Sequence, residues 1–583
     1  MTRNLALVVG ALSAGALMAC NYSPHFNANG FACKATADCP PGYVCTDATS
    51  SQPGICCNHL VSGQCLSLDS GLSPGTNYQS CGVGGDSGSG GNGGSTGMDG
   101  VVELVAFAPI SVSPAAGSTD TPPSATIFAT FSSAMDATTI TTATFVVERG
   151  SVPVSGTVSV SAGVATFTPS RPLVLAASYR ASIAGIVKDA SGTAMGADYP
   201  WTFTVRDGTF GASQVVSATG QSTQDLVLGT NSKGDAMAAW TQVDSGSSRA
   251  YSARFSPAAG WSSPVLLDAS SSSPVVAMSD DGSALALFTT PAGVASSELS
   301  LSAGWSIPIA FASTASYPSL AMDTAGRALA LYLNSDGAVA AQSFTPGSGW
   351  GTEHLLDSGG EYAQLALSPA GTGIAVFLEN TDSGSRYFAA RYTETGWQSV
   401  LPANPPGSVG YLPAVSVDSV GNPVFLWSED DQVLAAHLAS GVWSTPQVLR
   451  SGSGDNPLVA LSQEPTDNMV ALMSSGDLWA SILAAGSCRL GKQLNVSNDS
   501  ITGPPAAAMA PNGNAIVAWI QDGAVWATRQ IEGKGWTLSE PLSDGAATPG
   551  PLWMHMDSSG RATIVFLRAD SSTTNHVCAI RFE

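Results

Sequence analysis

Three groups of side chains in this chain have the types and spacing for chemistry. The first is a cluster of cysteines: Cys33, Cys39, Cys45, Cys56, Cys57, Cys65 and Cys81. Steps such as Cys33, Cys39, Cys45 do not match the CxxC spacing of a zinc knuckle, and no paired histidines follow. In an oxidising compartment the same cluster suits disulfides, which a small segment without a core needs. Seven is an odd count, so one thiol is left over from any internal pairing. The second group is six histidines, at 25, 59, 354, 437, 555 and 576, none paired with another at ligand spacing. There is no HExxH, no GxSxG elbow with a triad order and no sialidase Asp box. The reading is therefore no catalytic residue, no metal site and no cofactor, with His555 the least explained of the six. The third group is tyrosines and acids in segments that vary between repeats. Tyr317, Glu361, Tyr362, Tyr411, Glu429, Asp430 and Asp455 form the candidate ligand face. Tyrosine beside carboxylates suits a sugar, a cation or a basic peptide.

Composition limits the partners. Acids outnumber bases 43 to 21 in 583 residues, a formal net charge of −22, and only 11% of residues are charged. A nucleic-acid binder needs cations against phosphate, so that class is excluded. The chain is 44% hydrophobic, too apolar for wholesale disorder. With 63 glycines and 35 prolines, short strands and many turns are expected, hence an all-β protein.

The N-terminus supplies an address. Arg3 precedes an apolar run at 5–18, shorter than the roughly 20 residues of a membrane-spanning helix, and reads as a signal segment. Its end, Leu17-Met18-Ala19-Cys20, resembles a bacterial lipobox. That resemblance implies cleavage after residue 19 and lipidation of Cys20. Asn21, where aspartate would retain a lipoprotein at the inner membrane, implies the outer membrane or cell surface of a Gram-negative bacterium. The expected order is signal peptide 1–19, lipid-anchored cysteine-rich segment 20–81, and a Gly/Ser-rich linker 82–100, too polar to bury a core.

From 101 to 207 short alternating strands fall between turn signals, as in Ala125–Phe131 and Val164–Pro169, which suggests an antiparallel sandwich. Ser113-Pro114-Ala115-Ala116-Gly117, Phe131-Ser132-Ser133-Ala134-Met135-Asp136, Phe167-Thr168-Pro169 and Trp201-Thr202-Phe203-Thr204-Val205 stand in order. Together they resemble the SbsA-type bacterial Ig-like module of S-layer proteins, which implies a stalk or spacer. Asp136 and Asp189 read as turn residues first and as a calcium site second.

From 208 to 583 one unit recurs. An apolar strand runs into an Asp-x-x-Gly turn, and a second strand carries a large residue six places after the glycine. The pairs are Gly234/Trp240, Gly282/Phe288, Gly326/Tyr332, Gly371/Phe377, Gly421/Trp427, Gly513/Trp519 and Gly560/Phe566, with Met473 in the remaining copy. A third strand follows, then Gly-Trp and a fourth. Four strands per unit, eight times, predict a β-propeller of about eight blades, with seven as the rival count. The last copy stops after its third strand, and Phe210–Val216 resembles a fourth strand, so the first strand is expected to complete the last blade. Arg254, Arg391, Arg529 and Arg581 occupy equivalent third-strand places and read as structural. Cys488 and Cys578 lie in non-adjacent copies and are not expected to pair.

These readings converge on a cell-surface lipoprotein. Its lipid anchor engages the membrane, and its propeller, raised on an Ig-like stalk, binds a carbohydrate or protein ligand without catalysis. The alternatives are a propeller polysaccharide hydrolase or lyase, and a structural envelope protein.

Overall fold

The computed structural model describes Phe107–Glu583 except for short breaks, chiefly at 405–412, 419–420, 430–431, 452–455, 462–466 and 496–500, and describes five short strands between residues 32 and 65. Cys20, Cys39, Cys81, Tyr411, Asp430 and Asp455 lie outside the described residues, as do the side chains of the other clustered cysteines. The N-terminal unit, Met1–Glu103, contains a three-stranded antiparallel sheet in the order Ala32–Cys33, Gly54–Cys57, Val44–Thr46, and a hairpin of Leu60–Val61 with Gln64–Cys65. Its register sets Cys45 opposite Cys56. Among the described residues no helix is long and apolar enough to cross a membrane.

The second unit begins with a sandwich of two four-stranded antiparallel sheets. One runs Gly156–Ser161, Val164–Pro169, Ile127–Phe131, Pro109–Ser113; the other Tyr199–Thr204, Ser178–Ile183, Phe145–Arg149, Val152–Pro153. Period-two alternation sends Ile127, Ala129, Phe131, Phe167, Phe145, Val147 and Phe203 inward, all buried. Phe145 packs at 5.9 Å from both Phe167 and Trp201. Asp136 and Asp189 are turn residues: each carboxylate accepts from the backbone two residues on, at Thr138 and Ser191.

Eight sheets follow in a ring. Blade 1 shows the plan. Its inner strand Ser222–Thr230, second strand Ala236–Asp244 and third strand Ser247–Ser256 pair in sequence. The outer strand is divided: Gly260–Trp261 and Val265–Asp268 both pair with the third strand. Blades 2 to 5 and 7 repeat this division, and blade 6 has an undivided outer strand, Ser487–Gln493. Blade 8 consists of Trp553–Met556, Ala562–Ala569 and Asn575–Phe582, completed by Gln214–Val215 from the opposite end of the domain. The register is Gln214 to Ala579 and Val215 to Cys578, so the ring closes as the terminal half-repeats predict.

The turn glycines hold φ between +78° and +91°, a region closed to most side chains, which is why the repeat keeps glycine there. The large second-strand residues Trp240, Phe288, Tyr332, Phe377, Trp427, Trp519 and Phe566 are fully buried. They wedge between neighbouring sheets, so the propeller has a series of inter-blade cores. Leu287, for example, shares one with Tyr332 of the next blade. The Gly-Trp indoles stitch outward: Trp305 Nε1 donates to Ser252 Oγ at 3.0 Å and Trp350 Nε1 to Ser296 Oγ at 2.9 Å, each on the preceding blade. At the seam the corresponding position is Ala579, and the buried Nε1 of Trp261 has no partner. Ala579→Ser is expected to supply one and to stabilise the fold by about 1 kcal/mol, read as a raised urea midpoint.

The turns also join blades. Ser558 N donates to Ser232 O, Ser232 N to Asp280 Oδ1, Asp280 N to Thr324 O and Thr324 N to Pro369 O. This turn-bearing end receives the sandwich. Leu175 N donates to Ser559 O at 2.9 Å, Asn512 Nδ2 to Leu175 O at 3.3 Å, and Arg149 to Pro511 O at 3.0 Å. Arg171 pairs with Asp280, and Asp207 with Arg529 through two bonds of 2.7 and 3.0 Å. Val174 and Leu175 belong to one apolar cluster with Ala510, Ile564 and Phe582. The sandwich and blades 7 and 8 thus share a core, and the opposite, loop-bearing end is left clear of the sandwich.

Candidate functional site

Each of the first four inner strands begins with a bulge at the loop end. Two inner-strand residues face one partner between Gln224 and Val227, Ser272 and Val275, Ser316 and Ser319, and Glu361 and Gln364. The single opposing residues are Trp240, Phe288, Tyr332 and Phe377, the buried aromatics of the repeat. The bulge therefore belongs to the architecture. Its first residue takes a left-handed conformation, where glycine is the ordinary occupant. Here it is Asp225, Ser273, Tyr317 and Tyr362, with φ of 52°, 48°, 52° and 51°.

The four side chains divide into two pairs. Asp225 Oδ2 accepts from Thr241 Oγ1 at 2.9 Å and from Ser273 Oγ at 3.2 Å, which seals blade 1 to blade 2. Tyr317 and Tyr362, on the adjacent blades 3 and 4, point outward and are 82% and 42% exposed. Glu361, also exposed, precedes Tyr362 on the same strand. Glu429 lies elsewhere: its Oε2 accepts from Trp427 Nε1 at 2.9 Å, so it serves a buried wedge residue. Of the candidate ligand-face residues the structure brings Tyr317, Glu361 and Tyr362 to adjacent inner strands.

Below the mouth lies the lumen. One ring of the inner strands, five residues before the turn glycine, is made of Gly229, Ala277, Ala321, Ala366, Ser416 and Ala508, and by His555 in blade 8. Small neighbours leave the imidazole projecting into open space. Trp553, two residues earlier on the same face of the strand, is 43% exposed. Sequence reasoning missed Trp553, which sits outside the repeat's tryptophan positions. Under the lumen, at the turn end, is a cavity of about 320 Å³ lined by residues of seven blades, among them Met278, Met322, Met509, Met554, His555 and Met556.

His555 is exposed to the lumen but lies deep within the ring of blades. That enclosure penalises the charged ring and pushes its pKa down to about 4, against a smaller opposing pull from Asp557. At the seam, Asp570 is held below the usual carboxylate range by the Gly220 N–H at 2.5 Å and by His576 Nδ1 at 2.7 Å. Both shifts act in one direction. The unfolded chain binds more protons than the folded one below about pH 6.5 for His555 and below the free aspartate value for Asp570. Stability is therefore expected to fall as pH drops from 6.5 through 4, with the Asp570 contribution lost last. Urea midpoints from pH 7 to 4 measure the His555 part and those from pH 4 to 2 the Asp570 part, and His555→Ala is expected to flatten the upper part of the curve.

The repeated arginines are structural, each by its own contact. Arg391 donates to Gly421 O in the next blade's turn, Arg254 pairs with Asp235 at 3.4 Å, and Arg529 grips Asp207. Arg581 is buried, with its guanidinium 4.3 Å from the centre of the Phe255 ring across the seam. Cys578 is free and buried in blade 8, and desolvation pushes its thiol pKa up.

No curated protein matches the chain. Among solved structures, similar ones include the Dos1 propeller, at 9% identity over 64% of this chain and 95% of that one, with a TM-score of 0.42. Another is a lectin of Aleuria aurantia in complex with Fucalpha1-6GlcNAc, at 14% identity over 47% of this chain and 96% of that one, TM-score 0.32. A third is a Dyadobacter fermentans protein of unknown function, at 11% identity over 64% and 99%, TM-score 0.35. Residues 105–205 match the family described as the bacterial Ig-like domain, and the sandwich that carries the propeller is a member of that family.

Proposed function

We propose that this chain is a non-catalytic binding protein of the bacterial surface, whose loop-end mouth takes a carbohydrate. In this reading the chain is anchored through a lipid on Cys20 and held off the membrane by the cysteine-rich segment and linker. The bacterial Ig-like domain supports the surface location. The observation that carries the ligand reading is the pair of tyrosines on adjacent blades. Each occupies a backbone conformation that costs a side chain roughly 1–2 kcal/mol, at a position where glycine would cost nothing, and each is exposed. An exposed aromatic held in place against its own backbone preference is suited to stack on a sugar face, with Glu361 beside it to accept hydroxyl protons.

The test separates function from structure. Tyr317→Gly and Tyr362→Gly are each expected to raise stability by about 1 kcal/mol, because the strain is relieved. The double variant is expected to lose binding to a glycan array by tenfold or more. Binding that survives both changes would overturn the reading. A glycan cleaved by the wild type and spared by Glu361→Gln would replace it with the hydrolase or lyase alternative.

A further inference from the structure

The inner strand of blade 8 carries two large side chains where the other blades carry smaller ones. Five residues before the turn glycine, His555 replaces the glycine, alanine or serine of the other blades that keep that turn. Seven before it, Trp553 stands in place of Val227, Val275, Ser319, Gln364, Ala414 and Ala506. The strand is regularly paired, Trp553 with Val565 and His555 with Thr563, so the two side chains leave one face roughly 6.8 Å apart along the strand. Both are exposed, while Met556 on the other face is buried. Tyr317 and Tyr362 hold the ninth position before the glycine, at the mouth, in blades 3 and 4. In a ring of eight, blade 8 lies across the lumen from blade 4. The tyrosines thus line one wall of the mouth, Trp553 stands deeper on the far wall, and His555 lies one step below it.

The chemistry at the bottom selects an uncharged guest. The cavity there, about 320 Å³, stands at the small end of ligand sites, which span about 300–1,000 Å³. Among the described residues its lining includes no lysine or arginine. Its carboxylates are engaged: Asp280 accepts from Ser232 N and Oγ and pairs with Arg171, and Asp323 pairs with the Arg327 guanidinium at 2.6 Å. The side chains of His555 and Ser416, which share one tier of the lumen, line the cavity and have no hydrogen-bond partner among the described residues. With its pKa pushed down to about 4, the imidazole is neutral at pH 7 and offers one N–H donor and one acceptor nitrogen. An anionic guest would lose its water here and meet no cation. A neutral sugar brings hydroxyls that both donate and accept, and a ring face that packs on an indole.

We infer that the lumen is a deep subsite for the uncharged end of a glycan chain, which enters past Tyr317 and Tyr362, packs on Trp553 and hydrogen-bonds His555 and Ser416. This rests on the carbohydrate reading of the mouth and adds to it the charge of the ligand and the part of it that is recognised. A lumen walled by blades all round admits the end of a chain and not its middle. The subsite draws its residues from blades 5 and 8, far apart in sequence, so no short motif announces it.

The probes are four neutral linear sugars, cellohexaose, maltohexaose, laminarihexaose and N-acetylchitohexaose, and the anionic hexagalacturonate. The full chain is labelled with ¹⁵N at the imidazoles, and the His555 signals are identified by their loss in His555→Ala. At least one neutral probe is expected to bind and to shift the His555 signals to saturation, with those of His354 and His437 unmoved; hexagalacturonate is expected to do neither. Trp553→Ala is expected to weaken that probe at least tenfold while the unfolding midpoint stays close to that of the wild type. Bulky substituents on both ends of the probe are expected to abolish its binding. A probe that needs Tyr317 and Tyr362 yet leaves the His555 signals in place, and binds Trp553→Ala as it binds the wild type, would overturn the subsite and leave the reading of the mouth standing. Failure of all four neutral probes, or binding of a doubly blocked probe, would also overturn the subsite. The reading of the mouth would then be decided by the glycan array and the double tyrosine variant.

Discussion

Val216→Pro is expected to open the ring at its seam. Val216 N donates to Val577 O at 2.8 Å, and its side chain is buried in the core between blades 8 and 1. Proline removes that donor and clashes with the neighbouring strand, a cost of about 3 kcal/mol or more. The loss falls at the end of the closing segment, whose other bonds to the last strand, Thr209 with Glu583 and Gly211 N to Arg581 O, lie upstream. Cys578 reports the outcome directly. It is free, 1% exposed and paired across the ladder with Val215. In the wild type a thiol reagent is expected to react only after denaturation. In Val216→Pro it is expected to react under native conditions, with the outer edge of blade 8 uncovered. A thiol that stays protected in the variant would show that the closing strand contributes little to the seam.

Trp519→Ala is expected to cost about 3–5 kcal/mol. The indole is fully buried between blades 6 and 7, among Leu478, Leu494 and Val517, and its Nε1 donates to Gln521 Oε1 at 3.0 Å. Truncation leaves both a cavity and a buried amide oxygen that has lost its donor. Trp553→Ala serves as the comparison. That side chain faces the lumen and is 43% exposed, so its removal is expected to change stability by no more than about 0.5 kcal/mol. Urea denaturation of the two variants, with equal slopes, measures the difference. Similar losses in both would mean that the lumen is packed.

The ring was legible because every blade repeats the same solution. A glycine with positive φ and a large residue six places later mark a turn and a wedge, and both are local in sequence. Closure was legible because two incomplete repeats at the ends complement each other. What the repeat hid was anything that repeats in backbone and differs in side chain. The bulge opposite Trp240, Phe288, Tyr332 and Phe377 leaves no glycine to mark it. Its left-handed residues include Tyr317 and Tyr362, which the sequence marks as ligand-face candidates by type and position while giving no sign of their backbone conformation. Arg529 shows the same limit from the other side. Its position predicts a structural contact, and it makes one, but with Asp207 of the connector, which no repeat could indicate. The docking of the sandwich was illegible for a further reason. Arg149, Arg171 and Leu175 meet Pro511, Asp280 and Ser559 across hundreds of residues, and a patch of this kind has no period.

The attachment of the sandwich bears on mechanical load. The chain leaves the sandwich near Val205, is clamped at Asp207 by Arg529, and only then reaches Gln214, where it closes blade 8. The clamp and the shared core around Leu175 and Phe582 stand upstream of the closing strand. A pull arriving through the sandwich is therefore borne by an ion pair and a packed interface, many contacts in parallel, before any tension reaches the closing strand. Tension entering through the sandwich loads the joint between sandwich and ring and spares the seam.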